Sequence, residues 1–438
     1  MIPLVPTPRL AVIVAVGGLV LFLTPAPVLS SAAIAMGMLL VVALAADWVT
    51  MPAATELSAR RAVADRLSLG AENLVTLTVE NESSWPIAGT LRDIPPPEFA
   101  SEEGTTQVRA EGRGTLTYRY HVMPRRRGHY AFGDLYLRLH GVLGFVARQM
   151  RFEATRTVEV YPNIKAVSKY QLLARKGALL EMGIRSMPIS GRGTSFESLR
   201  EYQPDDEFRF IDWKATARVG KPITQVHEVE RAQNIILAVD AGRMMTPQLD
   251  GIAKLDRAIN AALMVAYVAV ASGDNVGLLV FGREVQRYLP PERGRRQLRT
   301  ILQALHAVEA EMSEPDYPHA LKYLAAKTAR RSLVVIFTDL FNREASRRLL
   351  SAIASLHPRH LPICVTLRDP SIEGLLATRP STSSDVYVQA VAEQLLVDRE
   401  DARRTLQSRG TLVLDAAAEH FSIAAANKYL EVKAAGML

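Results

Sequence analysis

Residues 234–240 read Asn234-Ile235-Ile236-Leu237-Ala238-Val239-Asp240. Five consecutive apolar residues ending on a carboxylate are the pattern of a strand buried on both faces of a parallel sheet. Downstream, Leu255, Ile259, Leu263, Ala266 and Val270 recur at helical spacing. The alternation then repeats. Val276–Phe281 is a second buried strand and Val285–Leu289 an antiparallel edge, with helices over 295–309 and 318–330. Leu333–Phe337 is a third buried strand, followed by a helix at 344–355 and by the strand Leu361–Thr366, which carries Cys364. A helix near 386–407, a strand at Thr411–Leu414 and a last helical stretch complete the pattern. Strands alternating with helices predict an α/β domain over 234–438, a doubly wound, mostly parallel sheet covered on both faces. Ligands of such sheets sit beyond the carboxyl ends of the strands. Asp240 and Asp339 fall there, and two carboxylates at adjacent strand ends could hold a hard cation through oxygen.

Ahead of this domain, residues 163–233 form a linker, and residues 56–162 are rich in short strand patterns. Leu74-Val75-Thr76-Leu77-Thr78-Val79 alternates apolar and polar residues, and Asn81–Ser84 reads as a turn. Further strands are expected at Gly114–Val122, Tyr130–Leu139, Phe145–Phe152 and Thr157–Tyr161. Short strands punctuated by Gly and Pro predict an antiparallel β-sandwich.

The first 55 residues differ again. No charged residue occurs from Leu10 to Ala46. One bilayer crossing takes roughly 20 residues, so this run is long for a single span. Pro25 and Pro27 interrupt it, which predicts two transmembrane helices, about 6–24 and 28–48, joined by a tight turn. A cleaved signal peptide is the rival reading, and the second apolar run argues for a retained hairpin. Arg9 is placed to snorkel to the headgroups and Trp48 to anchor at the interface. Arg9 precedes the hairpin and Arg60, Arg61 and Arg66 follow it, so the positive-inside rule puts both ends and the soluble part in the cytoplasm.

Composition agrees with a folded chain: 438 residues, 48% hydrophobic and 22% charged. The net charge of +7 is spread among both signs. The basic runs Arg125-Arg126-Arg127 and Arg293–Arg299 are not interleaved with aromatics, so nucleic acid is not an expected partner. One cysteine permits no intrachain disulfide. The sequence contains no G-x-x-x-x-G-K-[ST] phosphate loop, no H-E-x-x-H and no G-x-S-x-G elbow. His227-Glu228-Val229-Glu230-Arg231 lacks the second histidine of a zinc site, and both His227 and His319 read as structural.

The C-terminal pattern resembles the von Willebrand factor A domain. That family binds Mg²⁺ through D-x-S-x-S after the first strand, a Thr in a later loop and an Asp after a further strand. Here Asp240-Ala241-Gly242-Arg243-Met244 has Gly242 and Met244 in place of the serines, and Pro315 takes the Thr position. Only Asp240 and Asp339 match. With three oxygen ligands missing and Arg243 adding positive charge, the resemblance implies a degenerate site without a metal or other cofactor.

A second resemblance is more specific. Residues 196–218, from Phe196 through Arg200, Tyr202, Asp205, Asp206, Arg209, Asp212 and Trp213 to Arg218, are similar to the signature of the domain of unknown function 58 family. That pattern is roughly L-R-x-Y-x-x-G-D-x-x-R-x-I-D-W-x-x-x-A-R, with Asp205 standing where its Gly usually stands. The family's closing Y-L-x-x-K segment is matched by Tyr429-Leu430-Glu431-Val432-Lys433. On chemistry alone, Arg200, Arg209 and Arg218 with Asp206, Asp212, Tyr202 and Trp213 form an ion-pair and stacking cluster, bracing the entry to the α/β domain or binding a partner.

The resemblance implies a bacterial inner-membrane protein that binds other proteins, with a MoxR-type AAA+ ATPase as partner in a chaperone-like or assembly role. No small-molecule substrate is expected. Two alternatives stay open: a membrane-associated hydrolase with its site near Asp240 and Asp339, and an envelope scaffold with no ATPase partner.

Overall fold

The computed structural model describes residues 4–22, 26–101, 104–163, 165, 195–203, 206, 208–228, 232–339, 343–357 and 359–437. Two compact units divide at Tyr161 and Pro162.

The first unit begins with a short strand, β1 (Leu4–Pro6), and two helices, α1 (Pro8–Phe22) and α2 (Ala26–Thr50). Twelve strands in all build its sheets: β2 (Leu57–Val63), β3 (Arg66–Ser68), β4 (Asn73–Asn81), β5 (Ile87–Arg92), β6 (Phe99–Ser101), β7 (Thr105–Ala110), β8 (Thr115–Pro124), β9 (Gly128–Phe132), β10 (Leu135–His140), β11 (Val146–Phe152) and β12 (Arg156–Tyr161) follow β1. A five-stranded sheet runs β1-β11-β10-β5-β7 and a four-stranded one β2-β4-β8-β6, with β3-β12-β9 as a third. Alternate residues are buried, as in β4, where Val75, Leu77 and Val79 point inward. A buried polar group ties the two larger sheets together. Arg61 of β2 and Tyr120 of β8 both donate to Asp93, which follows β5.

The helices differ from expectation at their ends. Pro6, expected in the first helix, lies in a strand that pairs with β11. Of the two N-terminal helices, α2, at about 37 Å by helical rise, exceeds a hydrocarbon core of about 30 Å and α1 does not. Among the described residues one helix, Ala33–Glu56, is long and apolar enough to cross a membrane; Pro8–Val20 is a shorter apolar helix. Thr24 and Pro25 of the expected turn lie outside the described residues. The single strand expected at Tyr130–Leu139 is two strands. It breaks at Gly133 and Asp134, where Asp134 accepts hydrogen bonds from Arg151 (2.6 Å), Thr155 and the Ala154 amide.

The second unit opens with an antiparallel pair, β13 (Ser195–Glu201) and β14 (Ile223–Glu228), that encloses helix α3 (Trp213–Val219). Its main sheet comprises β15 (Asn234–Asp240), β18 (Asn275–Phe281), β19 (Val285–Arg293), β20 (Ser332–Phe337), β21 (Leu361–Arg368) and β22 (Leu412–Ala417), in the order β19-β18-β15-β20-β21-β22. Two short strands, β16 (Gln248–Leu249) and β17 (Ile252–Ala253), pair with each other beside it. All neighbours in the main sheet are parallel except the edge strand β19.

Helices cover both faces. Ile235, Leu237 and Val239 pack with α4 (Lys254–Ala271), α5 (Arg295–His306) and α10 (Phe421–Ala434). Ile236 and Ala238 pack with α6 (Tyr317–Lys327), α7 (Arg343–Ala354) and α9 (Ser383–Ser408). A short helix not foreseen from sequence, α8 (Pro370–Ala377), precedes α9. The alternation of one strand's residues between two cores is why β15 is apolar without interruption.

Candidate functional site

The carboxyl ends of β15 and β20 bring Asp240 and Asp339 together, as the spacing predicts. Both are buried. Asp240 accepts the Gly242 amide (2.7 Å), the Thr338 hydroxyl (2.7 Å) and the Tyr317 hydroxyl (2.9 Å). Burial raises its carboxyl above the usual range; those three donors oppose the rise and the nearby Asp339 adds to it.

Asp339 faces cations of the protein itself. The Lys254 ammonium, 2% exposed at the start of α4, lies 2.6 Å from Oδ2. The Arg399 guanidinium of α9 lies 3.0 Å from Oδ1 and also binds Asp415 (2.6 Å) and the Leu367 carbonyl (2.7 Å). Burial alone would lower the Arg399 pKa, but Asp339 and Asp415 outweigh it and raise it. Cys364, buried beneath this network, has its thiol pushed up to about 12 by burial. It is therefore a poor thiolate nucleophile.

Two of the three replaced ligand positions, Gly242 and Pro315, lie against each other. A Cβ on Gly242 would stand 2.7 Å from Pro315 Cδ and 3.0 Å from Asp240 Oδ1, so the proline ring occupies the space of a serine side chain. Restoring the motif by Gly242→Ser is therefore expected to cost about 1–3 kcal/mol by overpacking. Urea unfolding of this variant and of Gly242→Ser/Pro315→Thr checks it: the pair should recover stability that the single change loses. Met244 is half-buried. Arg243 differs from expectation. Its guanidinium pairs with Glu314 at 2.8 Å on the surface, and the cation at the carboxylates is Lys254. Among the described residues, no group of three His, Cys, Asp or Glu side chains is arranged to hold a metal ion.

The signature segment forms its own small unit. Arg200 pairs with Asp206 at 2.5 Å. The Gln203 amide, with Arg200 beside it, holds the Asp206 carboxyl below its usual range. Asp212 caps α3 through the Ala215 and Lys214 amides and accepts Gln225 Nε2 at 2.9 Å. These bonds stay within residues 200–225. Tyr202 is half-buried and Arg218 exposed, while Asp205 and the Arg209 side chain lie outside the described positions. Trp213 does not join a buried stack. It is 59% exposed, edge-on to Phe208, which is 67% exposed, with ring centroids 5.5 Å apart.

The closing Tyr429–Lys433 segment has a partner that the sequence reading missed. Tyr429 and Lys433, one turn apart on α10, both bind the buried carboxylate of Asp274, Lys433 at 2.7 Å. The Gln233 amide, just before β15, donates to the other oxygen at 3.1 Å. Lys254, Tyr317 and Arg399 were also missed. Each is a polar residue within an ordinary helical pattern, and only the fold brings it to the strand ends.

A doubly wound α/β domain with a protein-filled strand-end site, preceded by a short ribbon bearing exposed aromatics, defines the class. Residues 198–409 match the family model described as Protein of unknown function DUF58. The chain is 26% identical over 226 residues to the uncharacterized protein YeaD of Bacillus subtilis, covering 51% of this chain and 54% of that one. It is 27% identical over 184 residues to the uncharacterized protein Rv1480 of Mycobacterium tuberculosis, covering 42% and 57%. The chain thus spans little more than half the length of these curated relatives. Among solved structures, a CARDB domain from Pyrococcus furiosus aligns with 24% of this chain and 86% of its own, at 13% identity and a TM-score of 0.18. That likeness is too slight to carry an argument.

Proposed function

We propose that this protein is a membrane-tethered adaptor whose von Willebrand A-like domain binds other proteins and works with a MoxR-type AAA+ ATPase. In this reading α1 and α2 form a two-span hairpin in a bacterial inner membrane, and both soluble units face the cytoplasm. The sheet order, with one antiparallel edge strand, supports the von Willebrand A-like assignment. The observation that carries the functional reading is the filling of the strand ends. Asp339 is neutralised by Lys254 and Arg399, and Asp240 is held by three donors. Little remains for a cation or a substrate to do there. The Phe208–Trp213 pair offers instead an exposed aromatic surface, of the residue type favoured at binding hot spots. The ATPase partner rests on the family resemblance.

The same-side placement of the two hairpin ends, though not the choice of side, has support beyond the sequence. Both feet of the hairpin contact one end of the β unit: β1 pairs with β11, and Asp47 near the end of α2 binds the turn before β11. Arg61, counted toward orientation from sequence, is buried against Asp93 and carries less weight. The rival hydrolase has the raised Asp240 pKa in its favour. The burial of both carboxylates, each with protein donors, weighs against it.

Affinity capture of the tagged, detergent-solubilised full chain from its own membranes tests the reading. A AAA+ ATPase is expected with the native chain. Trp213→Ala should weaken capture by about 2 kcal/mol, roughly 30-fold, while the unfolding temperature stays unchanged. Equal recovery with both chains, or none with either, would reject it.

A further inference from the structure

We propose that the turn joining β10 to β11, residues 141–145, is a phospholipid-binding wedge that seats Val142 and Leu143 at the boundary between headgroups and acyl chains. The inference rests on reading α2 as a membrane span. Val142 is 72% exposed and Leu143 44%, side by side at the tip of a hairpin whose strands bury or half-bury their apolar residues. Such a tip is a poor ending for a water-facing hairpin and a good one for an interface.

The turn is bolted to the helix. Asp47, fully buried near the end of α2, accepts the amides of Leu143 (2.7 Å), Phe145 (2.7 Å) and Val146 (3.2 Å). From the other foot of the hairpin, the Thr7 hydroxyl donates to the Gly144 carbonyl at 2.6 Å. A Cβ on Gly141 would overlap the Asp47 carboxylate, so glycine at this position permits the close approach. The depth of the turn is therefore the depth of Asp47 and Trp48. With α2 about 37 Å long against a core of about 30 Å, its last residues belong at the interface.

The occupant follows from continuity. Exposed apolar side chains of α2, among them Leu39, Val42 and Val49, extend down the helix to the level of Trp48, next in sequence to the Asp47 that holds the turn. Around it stand cationic groups. Arg148 lies over the Trp48 ring at 5.3 Å and donates to the Pro52 carbonyl at 2.6 Å, and Arg9 reaches toward Gly144. An apolar tip ringed by arginine and tryptophan fits a bilayer containing anionic phospholipid.

The test uses the full chain in vesicles of phosphatidylcholine and phosphatidylglycerol, labelled with an environment-sensitive fluorophore at Val142→Cys, Leu39→Cys or Leu74→Cys. Cys364 is buried, and labelling of the unsubstituted chain gives its background. Leu74 is an exposed control near the far end of β4 from α2, about 24 Å along the strand from Asn81. The label at 142 should be blue-shifted relative to 74 and quenched by lipids brominated near the carbonyl end of the chain. The label at 39 should be quenched by deeper bromines. If 142 reads aqueous like 74 while 39 reads lipid, the wedge is wrong while the reading of α2 as a membrane span stands. If all three read aqueous, the membrane reading itself fails.

Discussion

Asp339→Ala is expected to destabilise the α/β domain by about 3–5 kcal/mol, the usual cost of leaving a buried charge without its partner. The substitution strips the carboxylate from Lys254, which has 2% exposure and cannot turn to water without moving the first turn of α4. It also removes one of the two carboxylates that hold Arg399, loosening α9 from the strand ends. The loss should be much smaller in Lys254→Met/Asp339→Leu, because a buried ion pair exchanged for apolar side chains of similar volume is often neutral. Urea unfolding of Lys254→Met, of Asp339→Leu and of the double variant gives the coupling energy. A coupling near zero would mean that the pair does not hold the strand ends closed.

The second large effect belongs to Asp274→Ala. This carboxylate sits in the turn between α4 and β18 and gathers Tyr429, Lys433 and the Gln233 amide. Its loss leaves Lys433 nearly buried without its counter-charge, again at a cost of about 3–5 kcal/mol. The damage should be local at first. Helix α10 packs on α4 through Phe421, Ala425, Tyr429 and Val432, so amide exchange in α10 should accelerate before exchange in β15 does. Hydrogen exchange by mass spectrometry reads this directly. Uniform acceleration over the whole sheet would contradict the local account.

Much of the α/β domain is legible in the sequence because its strands are buried on both faces. Continuous runs such as Ile235–Val239 and Leu333–Phe337 need no partner to be recognised, and α4 announces itself by spacing. The β unit is harder to read. The edge and solvent-facing strands carry charges: β2 reads Leu57-Ser58-Ala59-Arg60-Arg61-Ala62-Val63, and the inward-facing Arg61 disguises a buried position. Strand β1 is hidden in an apolar stretch that reads as helix.

The site was half legible. Asp240 and Asp339 stand out because they end recognisable strands. The residues that fill the space between elements do not, because Lys254 opens a helix 14 positions after Asp240 and Arg399 lies in a long, mostly polar helix. Nor does local pattern say that Gly242 and Pro315 meet, or that Trp213 faces outward. Those are facts of packing between elements distant in sequence.

In the proposed reading, the Lys254 ammonium and the Pro315 ring fill the place where a divalent cation would sit, and the domain works by recognition. Thermal unfolding of the purified full chain across increasing magnesium concentration tests it most directly. A bound ion would raise the unfolding temperature with concentration, by mass action. The account predicts no shift at millimolar magnesium beyond that produced by equal ionic strength of sodium chloride. A saturable rise, abolished in Asp240→Asn, would contradict it.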